Sequence, residues 1–150
     1  MTHTFYQNLY HVVWATKERQ PLLLPPFKDR VFEFLGGAFR TAGCVSFQVG
    51  GMPDHIHALI SIPPKYAASE IIRDVKVGAT KWIIKTLPDC KTFAWQEGYG
   101  LFTVSVSQKD AVLRYIKNQE EHHKKQTFEE EFKAFLVAHG VQYNEKFLWQ

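Results

Sequence analysis

The chain has 150 residues and a mass of 17.4 kDa, the size of one ordinary domain, for which ~100–200 residues is usual. With 45% hydrophobic, 15% aromatic and 22% charged residues it has enough apolar material for a sizeable core and is far from the composition of a disordered chain. Eighteen Lys and Arg against fifteen Asp and Glu leave a formal charge of +3, which excludes a histone-like polycation held to nucleic acid by bulk charge, so any basic surface must be local.

Cys44 and Cys90 can form at most one bridge, and no basic-then-apolar leader is evident, so a secreted disulfide scaffold is excluded and the cytoplasm is the expected compartment. No apolar run approaches the ~18 residues needed to cross a bilayer, and no membrane association is expected.

Tyr6 to Thr16 alternates two faces, Leu9/His11/Val13/Ala15 and Tyr10/Val12/Trp14/Thr16, and reads as a strand. After a Pro-rich loop the period becomes helical from about Pro26, with Val31, Phe34, Leu35, Ala38 and Ala42 on one face and Gly43 at the stop. Val45/Phe47/Val49 and then His55 to Ile62 alternate on either side of the turn Gly50-Gly51-Met52-Pro53-Asp54, giving a hairpin. Ala67 to Thr86 carries Ile72, Val75, Ala79, Trp82 and Ile83 at helical spacing and ends before Pro88. Phe93 to Trp95 and Leu101 to Val106 are strand material interrupted by Gly98-Tyr99-Gly100.

This βαββαβ order is the α+β, ferredoxin-like arrangement: an antiparallel sheet with two helices on one face and the other face free. Capping-box spacing at Ser107–Asp110 and Thr127–Glu130 predicts two C-terminal helices, at about 108–124 and 128–139, the second packing through Phe128, Phe132, Phe135 and Leu136. No linker divides the chain, so residues 1–150 are expected to be a single domain.

On the strand from His55 to Ile62, Ile56, Ala58, Ile60 and Ile62 share the face that must meet the helices, while His55 and His57 share the other. Two strand rises put their Cα atoms ~7 Å apart, close enough for one cation, although a polar surface pair gives the same pattern. No cysteine and histidine spacing completes a closed four-ligand zinc site, so an open site is expected.

In Tyr115-Ile116-Lys117-Asn118-Gln119, helical spacing sets Tyr115 and Gln119 on one face. Near a cation and a polarised phosphate a phenol can become a nucleophile, and the Gln119 carbonyl can be a third ligand beside two imidazoles. Core packing of a helical tyrosine is the alternative. His122-His123-Lys124-Lys125 can touch DNA or simply cap a helix end with cations.

Together these features resemble a known family. Tyr10-His11-Val12-Val13-Trp14, Pro53-Asp54-His55-Ile56-His57-Ala58-Leu59-Ile60, Trp95-Gln96-Glu97-Gly98-Tyr99-Gly100 and Tyr115-Ile116-Lys117-Asn118-Gln119 are similar to the motifs of small HUH single-tyrosine transposases, the TnpA type of minimal bacterial insertion sequences. The resemblance implies a transposase that cleaves and rejoins single-stranded DNA at hairpin-bearing element ends. It implies Tyr115 as the nucleophile forming a 5′-phosphotyrosine, and His55, His57 and Gln119 as ligands of a divalent metal, Mg²⁺ or Mn²⁺. Phosphodiester energy is conserved in such chemistry, so no nucleotide cofactor is expected. One nucleophilic tyrosine per chain implies a homodimer.

Residues 65–91 carry six basic side chains against three acidic ones, which accounts for the whole net charge. Arg73, Lys76, Lys81 and Lys85 are therefore candidate phosphate contacts, and Trp95 and Tyr99 candidate stacking partners for unpaired bases. Two other functions remain open at this point: a non-catalytic, RRM-like nucleic-acid-binding module, and a metal-dependent phosphodiesterase that uses activated water.

Overall fold

A computed structural model of the chain describes residues 3–149. Four strands, β1 (Leu9–Ala15), β2 (Val45–Met52), β3 (His55–Ser61) and β4 (Gly100–Val104), form one sheet in the order β2-β3-β1-β4 with every neighbouring pair antiparallel. Helices α1 (Lys28–Thr41) and α2 (Ala68–Thr86) supply the two crossovers. The α+β, ferredoxin-like arrangement expected from the sequence is thus the observed one.

Strand alternation decides which residues meet which layer. Val12, Trp14, Ile56, Ala58 and Ile60 are fully buried in the core shared with Val31, Leu35 and Phe39 of α1 and Ile72, Ala79 and Ile83 of α2. Phe34 stacks on Trp82 with ring centroids 4.7 Å apart and so joins the two helices. Phe93 to Trp95 does not make a strand. Trp95 forms only an isolated bridge to Thr16, and its ring lies edge-on to Trp14 and Phe93.

The second face is not free. Helices α3 (Lys109–Lys117), α4 (Gln119–His122) and α5 (Phe128–Ala138) cover it, α3 and α5 with apolar groups and α4 with the buried Gln119. Phe128, Phe132 and Leu136 pack on Val13, Ala15 and Phe102, and Ile116 packs on Leu59, Leu9 and Val104. One row across the sheet reads Gly50–His57–Val13–Gly100. A Cβ on Gly50 would lie 3.0 Å from the Ile116 carbonyl oxygen, and one on Gly100 would lie 2.6 Å from the Phe132 ring. The two missing side chains let α3 and α5 sink onto the sheet on either side of His57.

The helix expected over 108–124 is two helices. Asn118 departs from helical geometry at φ −101° and ψ 25°, so α3 ends and α4 starts in a new direction. The Ser107 capping box is not formed, because the Val106–Gln108 turn precedes the helix and the Ser107 hydroxyl pairs with that of Ser105. The Thr127 box is formed: its hydroxyl oxygen accepts from the Glu130 amide at 3.2 Å, and the hydroxyl donates to the Glu130 carboxylate at 3.0 Å. No helix among the described residues is long and apolar enough to cross a membrane, and Cys44 and Cys90 are free.

Candidate functional site

The β3 alternation that sends Ile56 and Ala58 into the α1/α2 core sends His55 and His57 to the opposite face, where α3–α5 bury them completely. The open surface pair expected from the sequence is therefore an enclosed one. His55 directs Nδ1 to the Asp54 carboxylate at 2.7 Å and Nε2 to Gln119 Oε1 at 3.1 Å. His57 directs Nδ1 to His11 Nε2 at 2.8 Å and Nε2 to Glu131 Oε1 at 2.9 Å. Gln119, the first residue of α4, is held by its own amide N–H, which donates to the Tyr115 carbonyl at 3.2 Å, leaving its oxygen turned toward the histidines.

Tyr115 stands on α3 with its ring 5.7 Å from that of His57. Its hydroxyl donates to Glu131 Oε2 and lies 2.9 Å from His122 Nε2. Tyr115, Gln119 and the histidine pair thus meet within one chain. Across the break at Asn118, positions 115, 119, 122 and 123 keep the spacing of about one and two helical turns, so His122 reaches Tyr115 and His123 meets Gln119 Oε1 at 2.9 Å and Glu131 Oε2 at 3.1 Å. Clefts of about 330 Å³, lined by Gly50, Gly51, Ile116 and Gln119, and about 550 Å³, lined by His122, Gln126 and Glu130, meet at Asn118, which lines both.

Glu131 is at the centre of the cluster and is only 1% exposed. Sequence motifs do not single it out, although a signal is present. It falls three residues after Phe128 and one before Phe132, on the stripe that an amphipathic helix reserves for apolar side chains. His11 carries a similar signal as the polar member of the Leu9/Val13/Ala15 face. His123, which its sequence neighbours mark as a helix-end cation, turns into the site rather than toward solvent.

Burial and these partners shift the titrations strongly. Burial alone would raise the Glu131 carboxyl, but hydrogen bonds from His123, His57 and Tyr115 hold it far below the usual carboxylate range. Burial brings His57 down to about 4, although Glu131 opposes this. Burial and then the Glu131 carboxylate push the Tyr115 phenol well above its ordinary value. His123 is raised: burial would lower it, but Glu131 and the Gln126 carbonyl favour its charged form more.

A stability prediction follows for metal-stripped protein. Folded His57 titrates at about 4 against 6.5 for the free side chain, so the folded state binds fewer protons and loses stability as pH falls from 6.5 to 4. The lowered Glu131 carboxyl acts in the same sense below about pH 4.5, while the contribution of His123 is already complete below 6.5 and stays level. Urea unfolding in EDTA should show about 3 kcal/mol lost across this window through His57. Stability that is flat or rising on acidification would contradict the burial of a neutral His57.

The candidate DNA contacts lie elsewhere. α2 covers the sheet face opposite the histidines, so DNA touching both must pass around an end or edge of the sheet. Arg73, Lys81, Lys85 and Tyr99 are exposed, and Arg73 pairs only with neighbouring Asp74 at 3.1 Å. Lys76 is engaged within the fold, where its ammonium group donates to the carbonyls of Gln96, Glu97 and Gly98 at 2.7, 3.2 and 3.0 Å and burial brings it down to about 8. Trp95 is 8% exposed and packed in the core, so its faces are not open to a base. Lys76 and Trp95 still line one cleft of about 510 Å³ with Arg73, Lys81 and Tyr99, while the Trp95–Gly100 motif also braces the end of β1, where Gln96 exchanges hydrogen bonds with the Ala15 backbone.

Similarity to known proteins is consistent across sequence and fold. The chain is 26% identical over 119 residues to the ISDra2 transposase TnpA of Deinococcus radiodurans, covering 76% of this chain and 85% of that protein. It is 26% identical over 129 residues to the transposase for insertion sequence element IS200 of Salmonella typhimurium, covering 83% and 84%. The fold matches that of a crystal structure of a Deinococcus radiodurans R1 protein assigned as a transposase, with a TM-score of 0.66, 24% identity and coverage of 79% of this chain and 95% of that one. It also matches a REP-associated tyrosine transposase bound to a REP hairpin, with a TM-score of 0.59, 15% identity and coverage of 82% and 74%. The sequence profile of the family described as "Transposase IS200 like" matches residues 4–119, from before β1 through Gln119, and the chain belongs to that family.

Proposed function

We propose that this transposase, a single domain over residues 1–150, is a metal-dependent enzyme that cuts and rejoins single-stranded DNA at hairpin-bearing ends, with Tyr115 as nucleophile. The observation that carries this reading is the convergence of the Tyr115 hydroxyl, both β3 histidines and the Gln119 carbonyl on one buried cluster, with Gln119 at the edge of a surface cleft. The REP-associated relative, solved with a REP hairpin, supports a hairpin as the form of DNA to try first.

In the proposed reaction the Tyr115 oxygen attacks the scissile phosphorus in line with the bond to the 3′ oxygen. The O–P bond to tyrosine forms, the P–O3′ bond breaks, and the 3′ oxygen leaves with a proton. The phenol proton has two acceptors in contact, Glu131 Oε2 and His122 Nε2. Attack by a 3′-OH on the phosphotyrosine reverses these steps and joins DNA without ATP. His55, His57 and Gln119 are the residues that would hold Mg²⁺ or Mn²⁺, and a cation bound there supplies Lewis-acid polarisation of the phosphate oxygen. Their inward-turned ring nitrogens and amide oxygen fit such an ion. Since each chain offers one nucleophilic tyrosine and complete excision requires more than one cut, the working enzyme is a homodimer acting in the cytoplasm. Arg73, Lys81, Lys85 and Tyr99 are the exposed groups proposed to hold the hairpin.

The test is incubation of the protein with hairpin-bearing single-stranded DNA and Mn²⁺ or Mg²⁺, followed by a denaturing gel. A slower, protease-sensitive band that EDTA abolishes is expected. Cleavage without that band would assign the site to water-using phosphodiester hydrolysis, and binding without cleavage would reduce the protein to a binding module.

A further inference from the structure

Two members of the cluster, His123 and Glu131, lie beyond the family-matched segment, and the cluster's chemistry is unbalanced without a cation. The His55 Nδ1 faces a carboxylate and the His123 Nδ1 faces the Gln126 carbonyl at 2.8 Å, so each of these nitrogens carries the proton. In the neutral rings Nε2 is then a bare lone pair, and both lone pairs face the Gln119 oxygen at 3.1 and 2.9 Å. Glu131 adds two more acceptor oxygens, at 2.9 Å from His57 Nε2, 3.1 Å from His123 Nε2 and 3.6 Å from His55 Nε2. A single extra proton on His123 gives one donor and leaves the His55 nitrogen facing the Gln119 oxygen, acceptor against acceptor. Among the described residues the ion-pair partners of this buried carboxylate are all histidines, with no lysine or arginine beside it.

The spacing is that of ligands around one ion. Two donors ~2.1 Å from a common centre lie ~3.0 Å apart at a right angle and ~3.4 Å apart at the tetrahedral angle, and the observed separations run from 2.9 to 3.6 Å. The donor atoms of His55, His57, His123 and Glu131 all lie within 4.8 Å of one another. Each of the three imidazoles is also fixed through its far nitrogen, by Asp54, His11 or Gln126, the arrangement that aims a ring at a metal.

We infer that Glu131 and His123 are metal ligands that complete, with His55, His57 and Gln119, a five-donor cation site in which the C-terminal helix α5 supplies the only anionic ligand. This rests on the metal-dependent function proposed for the site and extends it, because the segment after Gln119 then provides chemistry as well as packing. Glu131 also ties the ion to the nucleophile: Oε1 faces the β3 histidines, while Oε2 accepts from the Tyr115 hydroxyl.

The experiment is titration of the EDTA-stripped full-length protein with Co²⁺, followed by ligand-field absorption, and with Mn²⁺ by calorimetry. Wild type should bind one ion per chain. Glu131→Gln, which keeps the shape and removes the charge, should weaken binding about ten- to a hundredfold and change the Co²⁺ spectrum, and His123→Ala should do the same. Thermal melts in EDTA report folding, and if Glu131→Gln does not fold, His123→Ala and Glu131→Asp carry the test. Wild-type affinity and spectrum in folded variants would overturn the inference, as would a Glu131→Gln protein that binds metal normally and cleaves faster, since its carboxylate would then occupy the place of the phosphate. His57→Ala separates the two levels. Loss of metal binding there with none in Glu131→Gln refutes only the added ligands, whereas unchanged binding in both refutes the metal site itself.

Discussion

Tyr115→Phe should yield no covalent DNA adduct and no cleaved strand, while the protein stays folded and retains its hairpin. The substitution removes one oxygen atom and keeps the ring, which packs edge-on against His57 and Phe135. Glu131 loses the phenol but keeps His57 and His123 as hydrogen-bond partners, so no buried carboxylate is orphaned. The stability cost is that of one hydrogen bond to a charged group, about 1.5–3 kcal/mol. A structural tyrosine and a nucleophilic one therefore separate cleanly on a denaturing gel run beside an unfolding curve. An adduct that persists in the phenylalanine protein would move the nucleophile to another residue, and cleavage that persists without adduct would assign the attack to water.

The legibility of this chain in its sequence follows the range of the forces involved. Strand alternation and helical period are local properties, and they place Ile56, Ala58 and Ile60 in the α1/α2 core and His55 and His57 opposite it. The fold order follows from counting such segments. The same alternation could not tell that the histidine face would be roofed, because the roof depends on Gly50 and Gly100 lying in one row with His57, a register spread over four strands. Nor could a continuous helical period over 108–124 reveal the break at Asn118, although that period does set Tyr115, Gln119, His122 and His123 on one side.

The candidate site divides in the same way. His55, His57, Tyr115 and Gln119 stand in short motifs, and motif spacing made them visible. Glu131 and His11 have no motif: each is one polar side chain on an apolar stripe, and its meaning appears only when the element carrying it docks. Trp95 and Lys76 are less free to meet DNA than the sequence alone suggests, for a related reason. An indole beside glycines and a lysine on a basic helix look available until tertiary packing gives the ring to Trp14 and the ammonium group to three carbonyls.

His57→Ala is expected to reduce cleavage by about 10²–10³-fold or more, the scale on which removing one group that stabilises a developing charge acts, while hairpin binding stays near the wild-type level. The separation follows from the sheet: His57 lies under α3–α5, and the exposed Arg73, Lys81, Lys85 and Tyr99 belong to α2 and the loop before β4, which α2 anchors from the other face. Loss of hairpin binding together with cleavage, in a protein that still melts cooperatively, would place DNA recognition on the histidine face and overturn that division. The same variant carries an internal control for folding. Because buried His57 and buried His11 are both lowered from the free imidazole value, they share the expected stability loss as pH falls from 6.5, and His57→Ala should make the acid limb of the urea profile in EDTA shallower. A shallower limb with cleavage lost and hairpin retained would tie all three effects to one ring nitrogen facing Glu131. A limb as steep as that of the wild type would mean that other groups, His11 and Glu131 first among them, carry the acid sensitivity.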